Sequence, residues 1–214
     1  MTIKEGIYDI REAFNSYSND SELSNRHIYF LMKTARRKVV REHIERKPGE
    51  WRDQMTQTIV FDLEETSLDY LGTLGSIKRT TLQVPPAIGW DIFKPYLVRP
   101  IDRLSEEIEL LSKERIVEIQ YANKGFIYGF IDDDRYLYLI KPNSAVLLTK
   151  VAITSILEDP MDAELITGEE VEDFYLPGNM WLRVKEMVLA QLRSNPVLDT
   201  VNDGKDIQKA GTAK

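Results

Sequence analysis

The chain has 214 residues, 43% of them hydrophobic and 29% charged, and its 28 Lys and Arg against 35 Asp and Glu give a formal charge of −7. This composition is too apolar for a disordered chain, and the apolar runs fall far short of the ~20 residues that span a bilayer. The absence of cysteine excludes disulfides, thiol nucleophiles and cysteine-ligated zinc. The N-terminus is charged and amphipathic, unlike a signal peptide, so we expect an intracellular product with one main core.

The first 55 residues are predicted to form a helical hairpin. Thr2 and Glu5 form a capping-box pattern at the start of a short helix. Ser24 is placed to cap a second helix that runs to about Arg46, before Pro48. Apolar residues recur at helical spacing along one side of each helix. They are Ile3, Ile7, Ile10 and Phe14 in the first, and Ile28, Leu31, Met32, Ala35, Val39 and Val40 in the second.

A concentration of positive charge distinguishes the second helix. Residues 33–47 hold seven cations and two anions, a local charge of +5, so the remainder of the chain carries −12. We expect these basic side chains to lie on the outer face of the helix. Four of them are candidate interface residues for an acidic protein surface or for phosphate, although a solvated helix face explains the same pattern. The four are Arg36, Arg37, Lys38 and Arg41.

The region 56–160 is predicted to be rich in β-structure. Residues 58–64 alternate apolar and polar side chains, and 76–84 indicate another short strand. Two aromatic runs, 126–131 and 136–140, flank an acidic tip and predict a hairpin.

At least one more strand is expected within residues 146–157, ended by Glu158, Asp159 and Pro160. Prolines make a continuous helix or a central strand improbable in the middle of the region. They are Pro85, Pro86, Pro95 and Pro100.

Residues 161–195 are predicted to form a C-terminal helical region and 196–214 a flexible or partner-bound tail. A closing helix is expected over 179–193, because apolar residues there are spaced for burial on one side. They are Trp181, Val184, Val188, Leu189 and Leu192. The fold class is therefore α+β: an N-terminal helical hairpin and a C-terminal helix packed with an antiparallel β-rich middle.

The sequence offers little for catalysis. His27 and His43 lie sixteen residues apart on one predicted helix, about 24 Å, too far to share a metal ion or a proton. Residues 132–134 are three consecutive aspartates, but they lack calcium-loop spacing and are also typical of a solvated turn. No phosphate-binding or dinucleotide-binding glycine motif is present. We predict no catalytic, cofactor-binding or metal residue, and no enzyme.

Two tryptophans in irregular stretches are candidate interface anchors. Trp51 and Trp90 lie beside charge or proline, where tryptophan is often a buried contact with a partner. The alternative is that each fills a gap in its own fold.

Much of the chain resembles a known family. The segment IYDIREAFNSYSNDSELSNRHIYFLMKTARRKVVREHI (7–44), then WRDQMTQTIVFDLEETS (51–67), is similar to head-to-tail connector proteins of crAss-like tailed phages of gut bacteria. The hairpin of residues 126–140 and the strand end at 153–160 are similar too. The likeness covers most of residues 1–193 and rests on the order and texture of these segments.

The resemblance implies a virion protein, assembled in the host cytoplasm, that forms a ring or adaptor between the portal and the tail. It implies a closed ring of this chain, twelve-fold as connectors beneath portals generally are, that contacts the portal protein and other connector or tail proteins. Genomic DNA would pass through without sequence-specific binding. No active site, cofactor or membrane is implied.

Two alternatives come from the residues themselves. A non-enzymatic nucleic-acid-binding protein would use the basic helix 33–47, and a divalent-dependent nuclease would use the acidic hairpin tip. The ring interpretation is favoured because a basic helix beside a strongly acidic remainder provides two different faces, as subunits that meet head to tail require.

Overall fold

The computed structural model describes residues 1–15, 23–46, 52–67, 77–89, 96–103, 106–116, 126–142 and 145–194. The helices are α1 (Ile3–Asn15), α2 (Asn25–Arg46), α3 (Arg52–Met55), α4 (Glu164–Thr167) and α5 (Gly178–Ser194), with a 3₁₀ turn at Pro160–Ala163. The strands are β1 (Gln57–Thr66), β2 (Ile77–Thr80), β3 (Ala87–Ile88), β4 (Tyr96–Pro100), β5 (Glu109–Leu110), β6 (Tyr128–Ile131), β7 (Leu137–Ile140) and β8 (Lys150–Leu157). The predicted α+β class is confirmed.

The chain divides into two compact units. One combines residues 1–39 with 172–214 and is called the helical unit here; the other, residues 40–171, is called the barrel unit. The division differs from the predicted sequential segments 1–55, 56–160, 161–195 and 196–214, because both ends of the chain contribute to the helical unit. Within the described residues, no helix is long and apolar enough to cross a membrane.

The helical unit begins with the predicted capping box. The amide of Thr2 donates to Oε2 of Glu5 at 2.8 Å, and the amide of Glu5 donates to Oγ1 of Thr2 at 3.2 Å. The hydrogen bonds from Thr2 lower the pKa of Glu5 below its ordinary value. The second predicted cap is also present, since the amide of His27 donates to Oγ of Ser24 at 3.2 Å. Both helices therefore begin where local sequence chemistry satisfies their first free amides.

Contacts between distant parts of the chain complete the helical unit. The amide of Ile3 donates to the carbonyl of Glu172 at 2.7 Å, which ties the N-terminus to the segment before α5. Close packing of the helices depends on Gly6, where a Cβ atom would lie 2.6 Å from Cε of Met32 and 3.2 Å from Cη2 of Trp181. The buried side chains of α5 repeat at intervals of four and are Met180, Val184, Val188 and Leu192. Of the predicted stripe, Val184, Val188 and Leu192 are buried, whereas Trp181 and Leu189 are half-buried.

The barrel unit is a sheet that closes on itself. Strand β8 pairs antiparallel with β1 along one edge and with β3 and β4 along the other, and from β1 the order continues through β2, β7, β6 and β5. Directly before β5, Ile108 bridges Val98 of β4 and donates its amide to the carbonyl of Val98 at 2.9 Å. Among the described residues, β4 also pairs with β8, so seven strands close a barrel through the bridge at Ile108, with β3 alongside.

Side chains from alternate strand positions fill the barrel interior. Its core includes Ile59, Phe61, Val98, Leu137, Leu139, Val151 and Ile153. Gly129 on β6 belongs to this interior, because a Cβ atom there would lie 2.9 Å from Cδ2 of Leu110 and 3.2 Å from Cδ2 of Leu139. A second cluster covers the outer side of β2, β6 and β7, where the rings of Phe130 and Tyr138 stack at 5.0 Å.

The strands predicted at 58–64, 76–84 and 146–157 and the hairpin at 126–140 are confirmed as β1, β2, β8 and the pair β6 and β7. The expectation against a central strand in the proline-rich middle is wrong for β4. That strand pairs with β8 and meets Ile108, so it is part of the closed barrel. Proline is compatible with β4 because Pro100 is the last residue of the strand. Its missing amide therefore does not interrupt the middle of the ladder.

Candidate assembly surface

The basic helix α2 presents only part of its positive charge to solvent. Arg37, Lys38 and Arg41 are exposed, and we call these three residues the basic stripe. They occupy positions i, i+1 and i+4 and therefore lie close together on one side of the helix. Lys47, the last cation of the predicted run, lies outside the described residues.

Arg36 is not part of that surface. Its side chain is fully buried in the helical unit, with 0% relative exposure, so the expectation that it lies on the outer face is wrong. Its Nε and Nη2 donate to the carbonyl oxygen of Tyr175 at 3.3 and 3.2 Å, and its guanidinium lies 5.8 Å from the ring centre of Phe174. The carbonyl acceptor and the aromatic face both stabilise the guanidinium out of water, which is a physical reason for its burial.

The sequence contains the signal for this burial. Arg36 follows Ile28 and Met32 at successive intervals of four, and both of those residues have 0% exposure. Residues four apart lie on the same side of a helix, so Arg36 extends the apolar stripe, whereas Arg37 and Lys38 leave it. The local charge of +5 therefore exceeds the positive charge that the helix exposes.

The segment that holds Arg36 is shaped by an unusual backbone. Tyr175 has φ 47°, in the left-handed region that residues other than glycine rarely adopt. Its carbonyl accepts the hydrogen bonds from Nε and Nη2 of Arg36. Beside it, the ring of Phe174 meets that of Trp181 edge to face at 6.2 Å. Arg36 therefore links α2 to a strained segment that precedes α5.

A second polar contact of the helical unit centres on Asp9 of α1. Its carboxylate accepts from Nε1 of Trp181 at 2.9 Å and from Nζ of Lys185 at 2.7 Å. Burial acts to raise the pKa of Asp9, but the hydrogen bonds from Lys185 and Trp181 and the charge of Lys185 outweigh it, so the pKa lies below its ordinary value. Asp9 thus stays ionised and joins α1 to α5.

The aspartates of the acidic hairpin tip form hydrogen bonds within the barrel unit. Nζ of Lys113 donates to Oδ1 of Asp132 and to Oδ2 of Asp133, the latter at 3.2 Å, and these bonds raise the pKa of Lys113. Oδ2 of Asp134 accepts from the Tyr138 hydroxyl at 2.7 Å; burial, followed by this hydrogen bond, raises the pKa of Tyr138 to about 12. These contacts fix the turn and bring in a lysine that the sequence did not connect with it.

Metal ligands do not converge in the parts of the chain that the structure describes: no group of three or more His, Asp or Glu side chains there could hold an ion. His27 and His43 are both half-buried on α2, and Nε2 of His43 is buried without a hydrogen-bond partner. Trp51 and Trp90 lie outside the described residues, so their predicted role as interface anchors stays a prediction.

The described residues thus combine a small closed barrel, a long helix with an exposed basic stripe, and carboxylates that stabilise turns. Residues 5–207 match the family model described as phage tail ring protein 2. The chain belongs to this family of phage tail ring proteins and is accordingly a structural protein of the virion. It is 26% identical to ring protein 2 of Bacteroides phage crAss001 over 213 residues, covering 87% of this chain and 90% of that protein.

Proposed function

We propose that this chain is the ring, or adaptor, subunit of the head-to-tail connector that joins the portal to the tail and forms part of the DNA passage. The observation that carries the proposal is an exposed basic stripe on a long helix of a protein whose total charge is −7. Subunits of a closed ring need two different faces that meet head to tail. Opposite charge on those faces fixes their register and suppresses wrong pairings.

In this proposal twelve copies form the ring, which contacts the portal protein and further connector or tail proteins. The basic stripe of Arg37, Lys38 and Arg41 docks on an acidic protein surface, with Trp51 and Trp90 as additional anchors. DNA slides through without sequence-specific binding, which suits a net acidic protein. The subunit acts without catalysis or cofactor, in the virion after assembly in the host cytoplasm.

The proposal is tested by the mass of the assembled species. The purified chain is measured by native mass spectrometry alone and after mixing with portal rings of the same phage. We expect a closed ring of a single stoichiometry, formed alone or on the portal. A chain that stays monomeric in both conditions contradicts the connector function.

The nucleic-acid-binding alternative predicts DNA binding by a monomer and not a closed ring. Its only support is the basic helix, and the burial of Arg36 removes one cation from the surface available to phosphate. A protein that binds through phosphate contacts shifts DNA on a gel with a steep salt dependence. Tight, salt-sensitive DNA binding by a monomer would favour this alternative over the ring.

A further inference from the structure

An acidic segment in the barrel unit complements the basic stripe. Residues 158–170, which we call the acidic segment, contain six carboxylates and no Lys or Arg. Glu169 and Glu170 are exposed and Glu164 is half-buried. Leu165 of α4, next to Glu164 in sequence, has 83% relative exposure, while Ile166 of the same helix packs partly buried against the barrel core. The segment is therefore acidic and also exposes the apolar side chains of Leu165 and, at 38%, Met161.

The exposed face of α2 has the reciprocal chemistry. Phe30, Thr34, Arg37 and Arg41 follow one another at intervals of four, three and four, which places them on one face over about 16 Å. Phe30 is 56% exposed, and the cations come about two to three turns further along the helix. The face of α2 thus carries an aromatic ring and cations, and the acidic segment carries apolar side chains and carboxylates.

The composition of this face favours a protein partner over nucleic acid. Affinity for phosphate grows with the number of cations that neutralise it. The buried Arg36 contributes no cation to the surface, while Glu42 and Glu45 lie on the same helix. An exposed phenylalanine is instead typical of a protein contact, where aromatic residues are enriched.

We propose that the basic stripe of one copy binds the acidic segment of the next copy, head to tail around the ring. The proposal rests on the ring function given above and names the two surfaces that meet. Both are carried by every subunit, so one contact repeated by rotation closes a ring. The charges fix the register and speed association, while Phe30 and Leu165 supply apolar area.

Two charge reversals test this contact. One variant carries Lys38→Glu and Arg41→Glu, and the other carries Glu164→Lys and Glu169→Lys. Each alone brings like charges together at every contact, so we expect each to lose ring assembly and remain a monomer in native mass spectrometry. Mixed in equal amounts, the two variants complement each other at every contact, and we expect rings in which the two alternate, one to one.

A matched control carries Arg103→Glu and Lys150→Glu, two exposed cations of the barrel unit in surface ion pairs with Glu106 and Asp62. This control changes the net charge as much as the Lys38 and Arg41 reversal does. We expect it to assemble like the wild type. Circular dichroism of each variant shows whether the monomer is folded, and rescue on mixing shows the same independently.

Disulfide cross-linking locates the contact, because the natural chain has no cysteine. A double variant, Arg41→Cys with Glu164→Cys, is oxidised and run on a non-reducing gel. We expect a ladder of dimers, trimers and higher species, since each copy joins two neighbours. A mixture of the two single variants should give covalent dimers only.

Several results would overturn the proposal. Rings that form normally from either reversal variant, or variants that fail to rescue each other, show that other surfaces meet and leave the ring function intact. Loss of DNA binding with intact rings assigns the stripe to nucleic acid. A cross-linked monomer places both surfaces within one copy. A wild-type chain that gives neither rings nor a ladder, with or without the portal, removes the ring function as well.

Discussion

The helical unit and the barrel unit are stabilised by different kinds of contact. In the helical unit, Arg36 and Asp9 each bond to groups more than 130 residues away in sequence. In the barrel, closure by strand pairing encloses an apolar interior in which Leu137 and Leu139 have 0% exposure. We therefore expect a charge substitution at Arg36 to damage the helical unit and added volume at Gly129 to damage the barrel.

The largest expected effect is that of Arg36→Glu. The substitution buries an anion against the carbonyl oxygen of Tyr175 and the ring of Phe174, where a cation was satisfied. Uncompensated buried charge lowers the free energy of unfolding by about 3–5 kcal/mol. Urea denaturation followed by circular dichroism measures the loss, and hydrogen exchange should show it first in residues 1–39 and 172–194.

Lys38→Glu is the matched control for that experiment, two positions along the same helix and exposed. An exposed substitution of this kind changes the free energy of unfolding by about 0.5 kcal/mol or less. Equal losses of unfolding free energy in Arg36→Glu and Lys38→Glu would show that the burial of Arg36 makes no difference to stability. The same denaturation of the Lys38→Glu and Arg41→Glu double variant shows whether that variant tests assembly and not folding.

Gly129→Val is expected to have the next largest effect, and in the other unit. The new side chain would begin 2.9 Å from Cδ2 of Leu110 and 3.3 Å from Cδ1 of Leu137. Overpacking of a dense interior lowers the free energy of unfolding by about 1–3 kcal/mol. Gly129→Ala should cost less than the valine, because the nearest atoms are leucine methyl groups that can shift.

Gly178→Ala is the control, since no atom lies within 4 Å of a Cβ built at Gly178. We expect little change in its urea midpoint. If Gly129→Val unfolds at the same urea concentration as the wild type, the barrel interior can accommodate the larger side chain. The expected sensitivity of the barrel to added volume would then be wrong.

Local chemistry made much of this fold predictable. The capping box of Thr2 and Glu5 and the cap at Ser24 involve residues three apart, so the sequence contains the whole interaction. The alternation in β1 and the aromatic hairpin likewise reflect a repeat of two along a half-buried strand. Elements of this kind are predictable from sequence with approximate bounds.

Features that depend on distant residues were not predictable in the same way. Closure of the barrel requires Ile108 to meet Val98 and β4 to meet β8, and no periodicity records which strands pair. Arg36 is different, because its spacing from Met32 indicated a buried position. Its acceptor at Tyr175 was not foreseeable, since that carbonyl is presented by a left-handed residue far along the chain.

The smallest expected effect is that of Asp9→Asn, and it depends on pH. Because the folded-state pKa of Asp9 lies below the unfolded value of about 3.9, its stabilising contribution is complete above that value and is lost as pH falls through the folded pKa. Asparagine can still accept from Trp181 but loses the charge that pairs with Lys185. Since the carboxylate is 40% exposed, solvent screens the pair, and we expect a loss of about 1 kcal/mol or less at neutral pH.

The measurement is the urea midpoint of wild type and variant from neutral pH down to acid. The difference in urea midpoint between wild type and variant should decrease below about pH 4, because the wild-type carboxylate becomes protonated there. Glu12→Gln, on an exposed position of the same helix, should follow the wild type throughout. A difference in urea midpoint that stays constant down to acidic pH would mean that Asp9 stabilises the fold through its shape and hydrogen bonding alone. Charge would then contribute to the stability of the helical unit chiefly at Arg36.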